Sequence, residues 1–512
     1  MLAKVLSGCV VGINARPIEV EIDVSNGLPS FSVVGLPDAS IKESRDRIRS
    51  AIRNSGFTFP YGKITVSLSP ADLKKEGASF DLPIAMGILG ASGVIPPEDL
   101  GGIVFCGELA LNGSLKPFKG AFPIALSLKD SCDSFFLPVR NAREAANIEG
   151  VTAYGAKTLE HIIAHMKGLG TIEPVSASDT ANPHGKKRPN VVTDLKDVKG
   201  QEYVKRGLEV AASGGHNIIL MGPPGSGKSM LAKRLPGIMP SLSHEESLEV
   251  TNIYSIAGEL AHPALIKDRP IRSPHHTISY AAMAGGGTNP MPGEITMAHN
   301  GILFLDEFPE FRRDVLETLR QPMESGEITV TRVSGTMRFP SRFMLVAAMN
   351  PCPCGYFTDP HKNCKCTSYQ IQRYLSKVSG PLLDRIDIHL EVPRLDYNAL
   401  SGQRRGESSV DIKKRVLRTR ATQRSRFPSA GSFPPYNAHM ISTDIEKYCV
   451  LSDEAEELLK SAVLELGVSA RAYGKILKIS RTIADMESSD IIESHHLSEA
   501  VGYRSLDRNL WM

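Results

Sequence analysis

The chain has 512 residues, too many for one hydrophobic core, so two or three domains are expected. With 41% hydrophobic and 22% charged residues it has the make-up of a folded globular protein, and no apolar run approaches a membrane span, which argues against a membrane partner. A net charge of only +3 excludes a globally basic surface, so any contact with a polyanion must be local.

Near the start, Leu6-Ser7-Gly8-Cys9 has the form of a lipoprotein cleavage site. Only five residues precede it, Lys4 among them, leaving no room for an apolar leader; residues 1–13 are expected to be a first strand and the protein cytoplasmic. Eight cysteines in that compartment are expected to be thiols or metal ligands. Alternating patterns at 18–24, 30–34 and 64–68 predict half-buried strands. A helix is predicted over 38–54, with Ile41, Ile48 and Ile52 inward and Lys42, Arg45, Arg49 and Arg53 on a solvated face. A helix over 81–92 and a strand over 103–105 complete an α/β unit of residues 1–168. Residues 169–191 are rich in Ser, Thr, Pro and Asn and end in Lys186-Lys187-Arg188, which reads as a flexible linker.

From 192 to 393 the chain carries the pattern of a nucleotide site. A helix over 194–211 leads to the apolar strand 217–221, and Gly222-Pro223-Pro224-Gly225-Ser226-Gly227-Lys228-Ser229 follows, with a helix beginning near 230. Strand, glycine loop and helix make this a phosphate-binding loop: glycines let backbone amides converge on phosphate oxygens, Lys228 reaches the β/γ-phosphates and Ser229 ligates Mg²⁺. The apolar run 301–305 ends in Asp306-Glu307, a carboxylate pair suited to holding the metal and polarising water. A third strand, 343–348, ends in Met349-Asn350, whose amide can orient that water.

Two intervening stretches are placed on a substrate-facing side, from Arg272 to Ile295 and from Glu324 to Arg338. The second alternates like a hairpin with a turn at Ser334-Gly335, so Arg332 and Arg338, six apart, would share a face if pairing ran regularly. His275-His276 reads as hydrogen-bonded structure, with metal ligation the alternative. Cys352, Cys354, Cys364 and Cys366 offer four soft ligands across a short loop containing Asp359 and His361, a pattern for structural Zn²⁺ or for redox-sensitive thiols. Arg385, in Leu382-Leu383-Asp384-Arg385-Ile386-Asp387, is a candidate for reaching a neighbouring subunit's γ-phosphate, or an ordinary ion-pair residue. Residues 411–427 are strongly basic and fit either phosphate contact or an amphipathic helix on Ile412, Val416 and Leu417. The rest, 441–506, reads as helical, with Arg471 opening a helix buried through Ala472, Ile476, Ile479 and Ile483.

These motifs together, with Arg272-Ser273-Pro274-His275-His276, the run from Pro292 to Glu307, the run from Leu316 to Pro322 and the run from Gly380 to Asp387, resemble the YifB/ComM family of magnesium-chelatase-like AAA+ ATPases over essentially the whole chain. The resemblance implies an α/β multidomain protein: an N-terminal α+β domain like Lon protease and ribosomal S5, an AAA+ core with a cysteine knuckle, and a basic helix plus helical lid over 394–512. It assigns Lys228 to the Walker A lysine, Asp306 and Glu307 to Walker B, Asn350 to sensor 1, Arg385 to the arginine finger and Arg471 to sensor 2. ATP and Mg²⁺ are the implied cofactors, a hexameric ring the implied assembly, and branched or single-stranded DNA the implied partner. The implied activity is a helicase moving DNA branch points during natural transformation and recombination; a chelatase motor and a Lon-like protease are the alternatives. Ser79 matches the Lon nucleophile, but Phe122 stands where its lysine belongs and Lys119 is three residues away, so the hydroxyl has no base. Lys74, Lys75, Lys116 and Lys119 are read as DNA contacts instead, beside Arg332 and Arg338.

Overall fold

The structure is a computed structural model describing residues 1–176, 194–287, 290–332, 335–357, 359–395, 406–427, 436–466 and 469–504, the side chains of 465 and 466 excepted. It forms two compact units, one of residues 1–185 with 247–266, the other of 186–246 with 267–512. It is a mixed α/β protein with parallel strands in both.

In the first unit a seven-stranded mixed sheet starts from the long antiparallel pair Leu2–Val11 and Asn14–Ser25. Ala39–Asn54 is helical because Asp38 caps it, accepting from the Ile41 amide at 2.8 Å, and because Ile41, Ile48 and Ile52 repeat on one buried face. Its basic side is partly committed: Arg47 pairs at 2.9 Å with buried Asp81, and Arg49 lies over the Phe59 ring. Burial raises Asp81 to about 6, an effect Arg47 only partly offsets. Asp81–Ala91 is buried on all sides, as its unbroken apolar sequence requires.

The first unit corrects one expectation and qualifies another. Lys75 is wholly buried and donates to the Pro70 carbonyl, so it offers nothing to DNA; Lys74 pairs with Glu76 at 2.6 Å, and Lys119 reaches the Ala257 carbonyl at 3.4 Å. Residues 171–176, on the stretch read as linker, return to the sheet, where the Val175 amide donates to the Ala153 carbonyl at 2.8 Å and Ile172 is buried. Average composition concealed these two apolar anchors. The remaining linker residues, 177–191, lie outside the described residues.

The second unit is built on a five-stranded parallel sheet, in the order Ile271–Arg272, Ile302–Leu305, Met344–Met349, Ile218–Met221, Ile388–Glu391. The three central strands are buried throughout, which is why they read as unbroken apolar runs and not as alternation. Being parallel, they bring the residues that follow them to one edge. The predicted helix 194–211 is divided: Leu195–Asp197 is a 3₁₀ turn, and the α-helix runs Glu202–Gly214. Gly200 and Gln201 have positive φ, +58° each, and a right-handed helix cannot continue through them.

Helices Ser409–Arg426, Ser442–Tyr448, Asp453–Leu466, Ala470–Met486 and Ser494–Gly502 follow. Three arginines of the basic helix are engaged internally. Arg415 pairs with Glu209 at 2.6 Å and also with Glu407; Arg426 pairs with Asp485 at 2.6 Å; buried Arg420 donates to the Ala212 carbonyl at 2.6 Å and stacks on Tyr436. Ile412 and Val416 are buried, whereas Leu417, expected with them, is exposed. Ala470–Met486 buries Ala472, Ile476, Ile479 and Ile483 as its spacing predicts, and its Lys475 reaches Asp387 at 2.8 Å.

Burial alone would raise the Asp387 carboxyl, but Lys475, helped by His216 and the Asn217 amide, holds it down at about 2. A carboxyl depressed in the fold contributes stability that is complete above its unfolded value of about 3.9 and is lost as pH falls through about 2. Lys475→Met leaves the burial and removes the main counter-charge, so acid unfolding followed by circular dichroism is expected to begin at a higher pH than in the parent.

Candidate nucleotide site and cysteine knuckle

The glycine loop leaves the strand Ile218–Met221 at the edge where Asp306 and Asn350 also emerge. Gly222 is required by close approach: a Cβ there would collide with the Val392 carbonyl oxygen. At Gly227, φ of +93° turns the chain into the helix Lys228–Ala232. Inside the loop the Ser226 hydroxyl is buried without a hydrogen-bond partner.

Lys228 is buried, with its ammonium donating to the carbonyls of Gly222 at 2.7 Å and Pro223 at 2.9 Å and to Asn350 Oδ1 at 3.1 Å. Burial lowers it to about 8, with Asp306 partly offsetting. The Ser229 hydroxyl donates to Asp306 Oδ2 at 2.6 Å, so the two predicted metal-side groups meet although 77 residues separate them. The set fits a nucleotide with its metal: a buried cation, an unpartnered hydroxyl, and a hard-oxygen pair of the kind Mg²⁺ accepts.

Glu307 is exposed and has left-handed backbone, φ +53°. Its carboxylate lies 3.1 Å from His276 Nδ1, while His275 Nδ1 is 2.9 Å from the Thr277 hydroxyl. The histidine pair is therefore hydrogen-bonded structure, and one of the two touches the predicted water-polarising carboxylate. Arg272 holds the base of this segment, gripping Glu294 through two bonds of 2.6 Å.

Arg385 bonds Glu324 and the Pro381 carbonyl, and Arg471, exposed, lies 3.6 Å from Asp384, the residue before Arg385. Arg332 and Arg338 fall on the expected hairpin, Glu327–Arg332 paired with Gly335–Pro340, but not on one face. Arg332 sits opposite Gly335, on the side of Ile328, Val330 and Phe339; Arg338 sits opposite Thr329, on the other side. Arg332 pairs with Gly335, and the three residues from there to 338 reverse the face. Residues 333 and 334 lie outside the described residues.

The four predicted cysteine ligands converge. Cys352 Sγ is 3.4 Å from Cys354 Sγ and 3.7 Å from Cys364 Sγ, Cys354 and Cys364 are 3.6 Å apart, and all four sulfurs lie within 4.8 Å of one another. These are too long for disulfides, whose sulfurs are about 2.05 Å apart. Asp359 accepts from the amides of His361 and Lys362, which orders the loop between the cysteine pairs.

Two residues at the site escaped the sequence. Gln201 donates to the Ser226 carbonyl at 2.8 Å, supporting the glycine loop from the preceding helix's entrance. Tyr374, buried, lies by the Asn350 backbone, and burial pushes its hydroxyl above the usual range. Gly200-Gln201 as a helix interruption was the one readable signal; Tyr374 left none.

Family models agree with this architecture in three pieces. That for magnesium chelatase, subunit ChlI, matches residues 194–400, that for subunit ChlI of Mg-chelatase matches 20–141, and that for the ChlI C-terminal region matches 406–504. The chain is 45% identical to the YifB protein of Salmonella typhimurium over 510 residues, covering 99% of this chain and 98% of that one. It is 43% identical to the competence protein ComM of Haemophilus influenzae over 513 residues, with the same coverage. With the magnesium-chelatase 38 kDa subunit of Cereibacter sphaeroides it shares 25% identity over 171 residues, 30% of this chain and 51% of the other. The chain therefore belongs to the YifB/ComM family of magnesium-chelatase-like proteins with AAA+ ATPase domains.

Proposed function

We propose that the protein is an ATP-driven DNA motor that works as a cytoplasmic hexameric ring and promotes branch migration during uptake and recombination of DNA. The observation that carries the ATPase part is the Ser229–Asp306 hydrogen bond of 2.6 Å, which sets a metal-side hydroxyl and carboxylate beside a buried lysine. Lys228 binds the terminal phosphates, and Ser229 and Asp306 would hold Mg²⁺. That ion, when bound, neutralises charge on the phosphate oxygens. Glu307 takes the proton of the attacking water and Asn350 orients it. Arg385 reaches a neighbouring subunit's nucleotide, and Arg471, at the start of its lid helix and 3.6 Å from Asp384, reports on bound nucleotide.

The DNA part is supported by the family's ComM member, which is named for competence, and by the exposed arginines Arg332 and Arg338 of the hairpin. In this reading the Lon/S5-like domain, 1–168, forms a second collar joined by residues 169–191 to the AAA+ core, and the helices of 394–512 form the lid. The chelatase alternative shares the ATPase core; DNA stimulation of ATP hydrolysis separates the two. A Lon-like peptidase is disfavoured because Phe122, at the lysine's position, is buried in the core.

Three outcomes are expected. Glu307→Gln retains nucleotide binding and loses at least about 100-fold in ATP turnover, the size of a missing general base. A labelled four-way junction with ATP is resolved into its branch-migrated products by the parent and not by this variant; no strand movement by active, ATP-hydrolysing parent rejects the motor. Finally, nucleotide phosphates favour the charged form of Lys228, so affinity is flat below about pH 8 and falls as pH rises above it. Calorimetry at pH 8.5 in two buffers of different ionisation enthalpy checks this by detecting proton uptake on binding.

A further inference from the structure

The cysteine knuckle touches the phosphate loop at two points. Asn350, two residues before Cys352, accepts from Lys228 at 3.1 Å. Gly355, one residue after Cys354, packs so closely on the Pro224 ring that a Cβ there would collide with it, and its φ of +82° is one that only glycine adopts freely. The first cysteine pair is thus bracketed by contacts to the loop that would carry the phosphates. Tyr374, buried on the helix Ser368–Leu375 that follows the second pair, lies by the Asn350 backbone.

We propose that Cys352, Cys354, Cys364 and Cys366 hold one zinc ion, and that this ion clamps the phosphate loop, so that nucleotide affinity depends on metal occupancy. The inference rests on the ATP reading above and adds a structural metal that regulates the same site.

Four thiolates about 2.3 Å from a tetrahedral zinc lie about 3.8 Å from one another, close to the 3.4, 3.6 and 3.7 Å between three of these sulfurs. Four thiolates also fill the coordination sphere, which makes the site structural and leaves the chemistry to Glu307. The Cys366 amide donates to Cys364 Sγ at 3.4 Å, the outer-shell bond that steadies a thiolate ligand. The free energy of binding such an ion is free energy of ordering its loop. Without it, nothing ties the two cysteine pairs to each other, Pro224 loses the wall formed by Gly355, and Asn350 loses its fixed distance to Lys228.

The test uses the full chain. Zinc is counted by mass spectrometry, removed with a zinc-selective chelator that spares Mg²⁺, and restored, while affinity for a fluorescent ADP analogue is followed on the same samples. About one zinc per chain is expected, with affinity weakened about tenfold on removal and regained on return. Gly355→Ala keeps the four cysteines while crowding Pro224 and straining the turn beside it; it is expected to retain zinc and still bind nucleotide about tenfold more weakly, with an unchanged circular dichroism spectrum. Absence of zinc after purification and after incubation with Zn²⁺ overturns the metal site. Zinc loss without change in affinity, or parental affinity in Gly355→Ala, overturns the clamp. Failure of the zinc-loaded parent to bind nucleotide instead defeats the ATP reading, and the clamp with it, while the zinc count still decides the metal.

Discussion

Lys228 keeps its ammonium among the Gly222 and Pro223 carbonyls and the Asn350 amide oxygen, in a place where water is scarce. An ammonium there is costly to desolvate, as its lowered pKa records, and becomes comfortable only when an anion arrives. The surrounding half of the molecule is arranged to hold that charge in place. The parallel sheet delivers the loop, Asp306 and Asn350 to one edge; Gln201 supports the loop from beneath; Gly222 lets the backbone pass the Val392 carbonyl. Each of these depends on strands buried on both faces, so the site's precision derives from the apolar core and not from the polar groups themselves.

What the sequence made legible was whatever is local. Residues 218–221, 302–305 and 344–349 are apolar runs that stop at functional residues, and the residues that follow could be named without knowing the sheet order. The cysteine cluster was readable because its four members fall within fifteen consecutive positions. His276 against Glu307, Arg471 against Asp384 and Tyr374 against Asn350 were not readable, because each joins segments whose approach is decided by topology. Parity defeated the hairpin for a different reason: counting along one strand assigns a face, and a turn resets the count.

The distribution of positive charge shows the same division. Arg415, Arg420 and Arg426 form a conspicuous basic run in the sequence, yet each is engaged by a carboxylate or a carbonyl within the second unit. Net composition could not separate such internal guanidiniums from those left facing water. Burial and partner identity do so, and they take Arg415, Arg420 and Arg426 out of the search for a polyanion contact while leaving Arg332 and Arg338 in it.

On that hairpin the positions of Arg332 and Arg338 make the ribbon two-sided, one flank lined by apolar residues near its base and the other by threonines. Sliding either arginine by a single residue along its arm would transfer its charge to the opposite flank with no change in length, net charge or pairing. A ribbon of this kind can therefore be retuned over evolutionary time by the smallest possible sequence step, and the odd-or-even position of a cation on it carries as much information as its presence.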